Sequence, residues 1–345
     1  MTASVDVVPE DPMTRERRNV VWHRLRGLAK QDQLALLPVV VIAMVVGSFL
    51  QPAFLTQTNL INVLRQSSEL SVVVLAEALI LLSGKFDLSL ESTVGLAPMA
   101  AAWLVCPTAI GGSGIDLNPW LALVAMFGVG VLVGALNGTL IVALRLNAFM
   151  ATLAMLILLR GVTIGLSDGK TLYNLPESFV YLGTKSWFGV PTSVWVAGLL
   201  YLLVGLFLRY HRIGRAVYAI GGNSEAARAA GIRVDRVVFG VYVAGSLLAV
   251  LAGLMLTGRL ASVSSGQGQN MIFTVFAAAV IGRISLNGGR GTMLGALLGV
   301  LLLGLVSNIL TLSNIQPFWI NAAFGAIILL ALVIARFTTG EKDQG

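Results

Sequence analysis

Residues 209–236 read RYHRIGRAVYAIGGNSEAARAAGIRVDR, a basic interruption between two apolar runs that are each long enough to cross a lipid bilayer. Inside it Asn223 is a good helix N-cap, Glu225 places negative charge in the first turn, and Gly231 can supply the left-handed residue that ends a helix. The spacing therefore predicts a short alanine-rich helix over 224–230, roughly 10 Å long. A detached helix of that length is marginal in water. It needs a partner, and its polar surroundings say that the partner is not lipid.

The chain on either side is built for lipid. Of its 345 residues 57% are hydrophobic and 11% charged, against about a quarter charged in a soluble domain, so the fold class is all-α, a polytopic membrane protein. The formal charge of +7 is not a nucleic-acid footprint, because the basic residues fall between apolar spans instead of on one folded face. A single cysteine, Cys106, excludes an internal disulfide framework and a cysteine-clustered metal site. His23 and His211 stand far apart beside apolar spans and read as solvated, so no metal or other cofactor is expected. A polar tail over 1–33 leads into the apolar run 34–50. No small-x-small cleavage signal follows that run, so it reads as a retained first span. Nine further spans are expected near 60–82, 90–105, 120–143, 149–166, 194–208, 237–258, 272–281, 292–312 and 318–335. The membrane domain thus covers 34–336, with a tail over 337–345.

Ten spans put both ends of the chain on one side, together with Lys85, Arg145, Arg209, Arg212, Arg215, Arg228, Arg233, Arg236, Arg283, Arg290, Arg336 and Lys342, and leave the other side Lys170, Lys185 and Arg259. By the positive-inside rule the termini and the 209–236 loop are cytoplasmic.

Two places are irregular. The eighth span has only about ten apolar residues, too few to cross a hydrocarbon core of about 30 Å, and SVSSGQGQN and GRISLNGGRG flank it. Polar, glycine-rich backbone is tolerated at membrane depth only where protein or water surrounds it. The join SGKFDLSLES has the same character, and its segment 84–89, GKFDLS, echoes 282–287, GRISLN. Broken or short helices are thus expected near 84–90 and 271–290, where analogy with other transporters places the pathway. Glu77, Asp87, Ser89, Arg283, Asn287 and Arg290 are the candidate pathway or gate residues. Intramembrane charge is functional by default. Arg65 and Glu69, four apart, can pair; Glu77 can face a polar cavity; Asp87 can line a vestibule or cap the third span; Arg65 and Arg160 can snorkel. Gly130, Gly134 and Gly138, and again Gly291, Gly295 and Gly299, recur at every fourth position and make flat stripes for close helix packing, within the subunit or between subunits.

No chemistry-bearing motif accompanies these spans. The nearest approach to a phosphate-binding loop, GLSDGKT over 165–171, has three residues between its glycines where the pattern needs four, and no triad or nucleophile elbow occurs. The chain reads as a conduit, not an enzyme, so energy comes from another polypeptide or an ion gradient.

Seven strings in order, NLINVLRQSS (59–68), SGKFDLS (83–89), LNAFMATLAMLILLRG (146–161), NLPESF (174–179), YAIGGNSEAARAAGI (218–232), SLNGGRGTMLGALLG (285–299) and QPFW (316–319), resemble the permease subunits of bacterial ABC importers for ribose, xylose and related monosaccharides. The resemblance implies a ten-helix permease paired with a second copy or a sister permease. It also implies a cytoplasmic ATPase, commonly of two fused modules, and an extracytoplasmic sugar-binding protein. Gly222, Asn223, Glu225, Ala226, Ala227, Arg228 and Gly231 match the family's ATPase-docking helix, in which the alanines make a slim rod and Glu225 and Arg228 fix its register. The chain departs from the family where relatives usually read GGTSL and it has Gly282-Arg283-Ile284-Ser285-Leu286, and at Lys85-Phe86, where a smaller neutral pair is usual. Importers of branched-chain amino acids or of an autoinducer sugar are neighbouring readings; a proton-coupled carrier working through Glu77 or Asp87 is the rival from another class.

Overall fold

The computed structural model describes residues 36–326 and residue 329. The two predicted tails and the end of the tenth span lie outside the described residues. Twelve helices are bounded in order: α1 Leu37–Leu50, α2 Gln57–Leu82, α3 Leu90–Val105, α4 Pro119–Val142, α5 Ala148–Ser167, α6 Glu177–Thr184, α7 Thr192–Tyr210, α8 Arg212–Gly222, α9 Ser224–Ala229, α10 Val234–Leu260, α11 Met271–Ile281 and α12 Met293–Leu312. Residues 317–326 are helical as well. Among the described residues the remaining regular structure is one 3-10 turn and two minimal antiparallel pairs, Leu172–Tyr173 with Ser262–Val263 and Ser186–Trp187 with Val190–Pro191.

The centre of the bundle is α2. Thr56 caps its start by accepting from the Asn59 N–H, and every residue from Ser71 to Leu82 is buried. A helix apolar all round belongs inside a bundle. Its neighbour α10 packs against α2, α3, α4 and α6. The outer helices keep their large apolar side chains exposed, with Phe49 on α1, Trp120 and Val124 on α4, Ile157 on α5 and Leu202 on α7. Five helices, α4, α5, α7, α10 and α12, are long and apolar enough to cross a membrane. The 26 residues of α2 are also long enough, at about 1.5 Å each, but carry Arg65, Glu69 and Glu77. Glu69 and Glu77 are buried in protein, and Arg65 is partly buried.

The glycine stripe on α4 is used within the chain. A Cβ on Gly130 would meet Val250 at 2.6 Å, one on Gly134 the Val243 Cα at 2.6 Å and the Tyr242 carbonyl oxygen at 2.8 Å, and one on Gly138 the Phe239 ring at 2.7 Å, all on α10. The second stripe is shorter than its spacing promises. Gly295 and Gly299 lie on α12 against Gly282 and Ala278, but Gly291 precedes the helix at φ +138° and turns the chain.

Candidate functional site

Three loops meet at the end of the bundle that carries α9. Asn223 accepts at Oδ1 from the N–H groups of Glu225 (3.0 Å) and Ala226 (2.9 Å). At the other end Gly231 takes φ +83°, its N–H donates to the Arg228 carbonyl and the Ile232 N–H to the Ala227 carbonyl. That pair of bonds is the Schellman arrangement. The helix stops at Ala229, with Ala230 as its cap residue, because those turn bonds replace the helical ones. Glu225, Ala226, Ala229 and Ala230 are exposed, but Ala227 is buried against its own subunit. Arg228 is committed inside the chain, its Nη2 at 3.0 Å from Asp235 Oδ1, so α9 is tied to the first turn of α10. Glu225, Ala226, Arg228, Ala229 and Ala230 are open to a partner, whereas Ala227 faces its own chain.

Sequence reasoning took 209–223 for loop. It contains α8, whose Gly214, Ala216, Val217 and Ile220 are buried while Arg212 and Arg215 are exposed. His211 accepts at Nδ1 from the Ile213 N–H and so caps α8. Three scattered arginines concealed a short apolar face.

At the end of α8 the chain wedges between the two irregular segments. A Cβ on Gly221 would strike the Leu82 carbonyl oxygen and approach the Gly289 nitrogen to 2.5 Å, and one on Gly288 would meet the Gly84 Cα at 2.7 Å. The Gly289 N–H donates to the Leu82 carbonyl at 3.0 Å, and the Tyr218 hydroxyl to the Gly291 carbonyl at 2.9 Å. The two segments that echo each other in sequence thus pack backbone to backbone on the α8–α9 joint. A cavity of about 1170 Å³ beside the joint is lined by Lys85, Arg145, Gly222, Glu225, Arg228 and Asn287, among others. Arg283 lies in the turn after α11 at φ +62°, and the Arg290 carbonyl accepts from the Ser285 N–H.

Of the two candidate acids, Asp87 takes the capping role and Glu77 does not line the cavity beside the joint. Glu77 is fully buried, and its Oε1 lies 3.5 Å from the Asp87 nitrogen. Asp87 accepts at Oδ1 from the Ser89 N–H (2.9 Å) and hydroxyl (2.6 Å), and the Asn137 amide donates to Asp87 and to the Ser89 oxygen. The Leu88 N–H donates to Thr152 and the Tyr242 hydroxyl to the Phe86 carbonyl. The carboxylate thus acts as a turn and cap group just before α3, and the cluster pins a non-helical connection that lipid could not solvate.

Two ion pairs were hidden in the sequence. Glu69 does not pair with Arg65: Arg259, from the last turn of α10, donates from Nε to both of its oxygens at 2.8 and 2.9 Å. Nor does Arg160 snorkel. It holds Glu91 at 3.3 Å and donates to the Gln267 carbonyl at 2.9 Å. The other Glu91 oxygen accepts from the Ile272 N–H at the start of α11, where negative charge suits the helix dipole. Gln267 donates to the Val94 and Gly253 carbonyls and to Thr257. Glu91 and Gln267 were not singled out beforehand; the glutamine inside SSGQGQN was the one visible signal. At the far rim Lys185 and Glu177 meet at 2.8 Å in solvent, which raises the lysine pKa and lowers that of the glutamate.

The family described as branched-chain amino acid transport system / permease component matches residues 59–334. The chain belongs to this family. This permease is 34% identical over 307 residues to the ribose import permease protein RbsC of Escherichia coli (strain K12), covering 88% of this chain and 93% of the relative. It is 34% identical over 314 residues to the L-arabinose transport system permease protein AraH of the same strain, covering 90% and 92%. It is 32% identical over 314 residues to the autoinducer 2 import system permease protein LsrC of Klebsiella pneumoniae, covering 90% and 88%. No solved structure matches the permease.

Proposed function

We propose that the permease is the membrane-spanning subunit of an ATP-driven importer for a monosaccharide, with α9 as the element on which a separate cytoplasmic ATPase acts. The observation that carries the reading is the joint at Gly221. A push on α9 passes through α8 directly to the end of α2 and to the turn between α11 and α12, the two places where the helical backbone is broken. A force applied there reaches the interrupted segments without crossing lipid.

In this reading both termini, α9 and the α8 arginines are cytoplasmic. The ATPase, with two fused modules, docks on Glu225, Ala226 and Ala229. A second permease, identical or a sister chain, completes the path between the subunits, and an extracytoplasmic binding protein delivers the sugar. The permease itself carries out no covalent chemistry. ATP drives the cycle because the closed and open ATPase contact α9 differently; a ligand without such a difference shifts nothing. The names of the relatives, for ribose, L-arabinose and autoinducer 2, favour a sugar over the amino acids for which the family is named.

Glu225→Lys is the test. It reverses the charge on the open face of α9 and touches no intramolecular bond of that side chain. The expected outcome is membrane insertion at wild-type level, with sugar uptake lost while ATP hydrolysis by the assembled importer continues; wild-type uptake by this variant sinks the assignment of α9.

The buried Glu77 favours one other reading, a proton-coupled carrier, because its Oε2 has no partner among the described residues. Collapsing the proton gradient at constant ATP separates the two. An importer continues and a carrier stops.

A further inference from the structure

About half-way along α2, with twelve residues from Gln57 to Glu69 and thirteen from Glu69 to Leu82, a cavity of about 220 Å³ opens on the subunit surface. The first turn of α11, a helix of only 11 residues, about 16 Å at 1.5 Å each, lines it through Met271 and Thr274. Its polar lining is Gln66, Ser67, Glu69, Arg259, Thr274, Ser307 and Asn308.

We propose that this cavity holds a monosaccharide by its hydroxyls part-way through the membrane, an inference that rests on the importer reading above. The charges in the lining cancel: Arg259 Nε spends itself on both Glu69 oxygens. Sugar hydroxyls both donate and accept, so they can add to an existing pair without breaking it. The guanidinium fork has five N–H donors and the carboxylate about four acceptor sites; the pair spends only the Nε–H donor, on both oxygens, and leaves the other donors and about half of the acceptor sites for a ligand.

A second observation points the same way. Ser67 belongs to the cavity wall and is 5% exposed, and its hydroxyl, packed against Gly304 of α12, has no hydrogen-bond partner among the described residues. A buried polar group left unpaired is costly, and rotation of the side chain toward the cavity would give it a ligand hydroxyl. Leu70 and Leu303 form an apolar part of the wall, which suits the C–H face of a sugar ring. In other transporters, too, substrate sites collect near mid-depth beside interrupted helices.

The test uses the complete importer, this chain with its ATPase and binding protein, in proteoliposomes. D-Ribose, D-xylose and L-arabinose, each radiolabelled, are the probes. Thr274→Trp fills the cavity, and uptake of the transported sugar is expected to fall by on the order of tenfold or more, with the subunits still copurifying. In a separate arm Ser307→Cys, in a Cys106→Ala background, is alkylated by a small polar maleimide. The transported sugar should slow that reaction several-fold and L-leucine should not. Failure of the wild-type importer to take up any of the three pentoses, or D-glucose, D-galactose or D-fructose in the same assay, overturns the sugar reading as a whole. Wild-type uptake combined with unhindered alkylation in the presence of the transported sugar overturns only the cavity. Should Thr274→Trp fail to assemble, the alkylation arm decides.

Discussion

Glu91 is the residue on which the irregular half of the bundle turns. One of its oxygens binds Arg160 and the other accepts from the Ile272 N–H, so a single carboxylate from α3 holds a side chain of α5 and the start of α11. Removing one member of a buried pair leaves the other charge unsolvated, at about 3–5 kcal/mol. Glu91→Ala is therefore expected to lower the thermal midpoint of the detergent-solubilised permease sharply. Glu91→Gln, which keeps an acceptor for Ile272 but loses the charge, should fall between it and wild type. Equal midpoints for Glu91→Ala and wild type would mean that the pair contributes nothing. None of this was legible from the chain: Glu91 and Arg160 are 69 positions apart, and Glu69 and Arg259 are 190. A four-residue spacing is visible in a sequence, so Arg65 was offered to Glu69, but a helix arriving from far along the chain can present a better-placed guanidinium. Where the partner was local the reading held, as with Asn223 and Gly231, because N-caps and left-handed turns are decided within a few residues.

Elements were more legible than contacts. The bounds of α3 agree with expectation at both ends, since Ser89 and Cys106 bracket an apolar run, and α11 was recognised as too short to span. Missing were α8 and α6. The first hid behind arginines; the second, Glu177–Thr184, is eight residues long and lies in a loop where periodicity has no room to show. Close approach of backbones explains both the glycines at 221, 288 and 289 and the way motion at α9 would travel. Adding one methyl group at Gly221 puts it onto the Leu82 carbonyl, and overpacking of this kind typically costs about 1–3 kcal/mol. The expectation for Gly221→Ala is a folded importer with impaired coupling: ATP hydrolysis retained, uptake reduced several-fold. Gly198, on α7, has open space around its Cβ position, so Gly198→Ala should behave as wild type. If the two variants transport equally, the joint does not transmit force through that contact.

For the molecule as a whole the question is which face of the membrane each end occupies. The ends themselves are well separated: α7 runs 19 residues from Thr192 to Tyr210, about 28 Å at 1.5 Å per residue, between the hairpin that carries Phe188 and the loop that carries α8 and α9. Phe188 is 96% exposed, with Trp187 and Trp195 also exposed nearby, an aromatic group of the kind found at membrane–water interfaces. The α9 end gathers Lys85, Arg145, Arg209, Arg212, Arg215, Arg233 and Arg236, whereas the hairpin end has Lys170 and a Lys185 already paired with Glu177. Arg259 does not count toward either rim, because Glu69 holds it inside the bundle. The asymmetry is thus steeper in space than along the chain, and it argues that α9 is cytoplasmic. Cys106 is buried and gives little background, so two variants can decide the matter. In intact cells a membrane-impermeant maleimide should label Phe188→Cys and leave Ala226→Cys unlabelled; once the cells are opened and the permease is freed of its ATPase both should react. Labelling of Ala226→Cys in intact cells would put α9 beyond the reach of a cytoplasmic ATPase. The importer mechanism would then have no point of application, however well the rest of the bundle agreed with it.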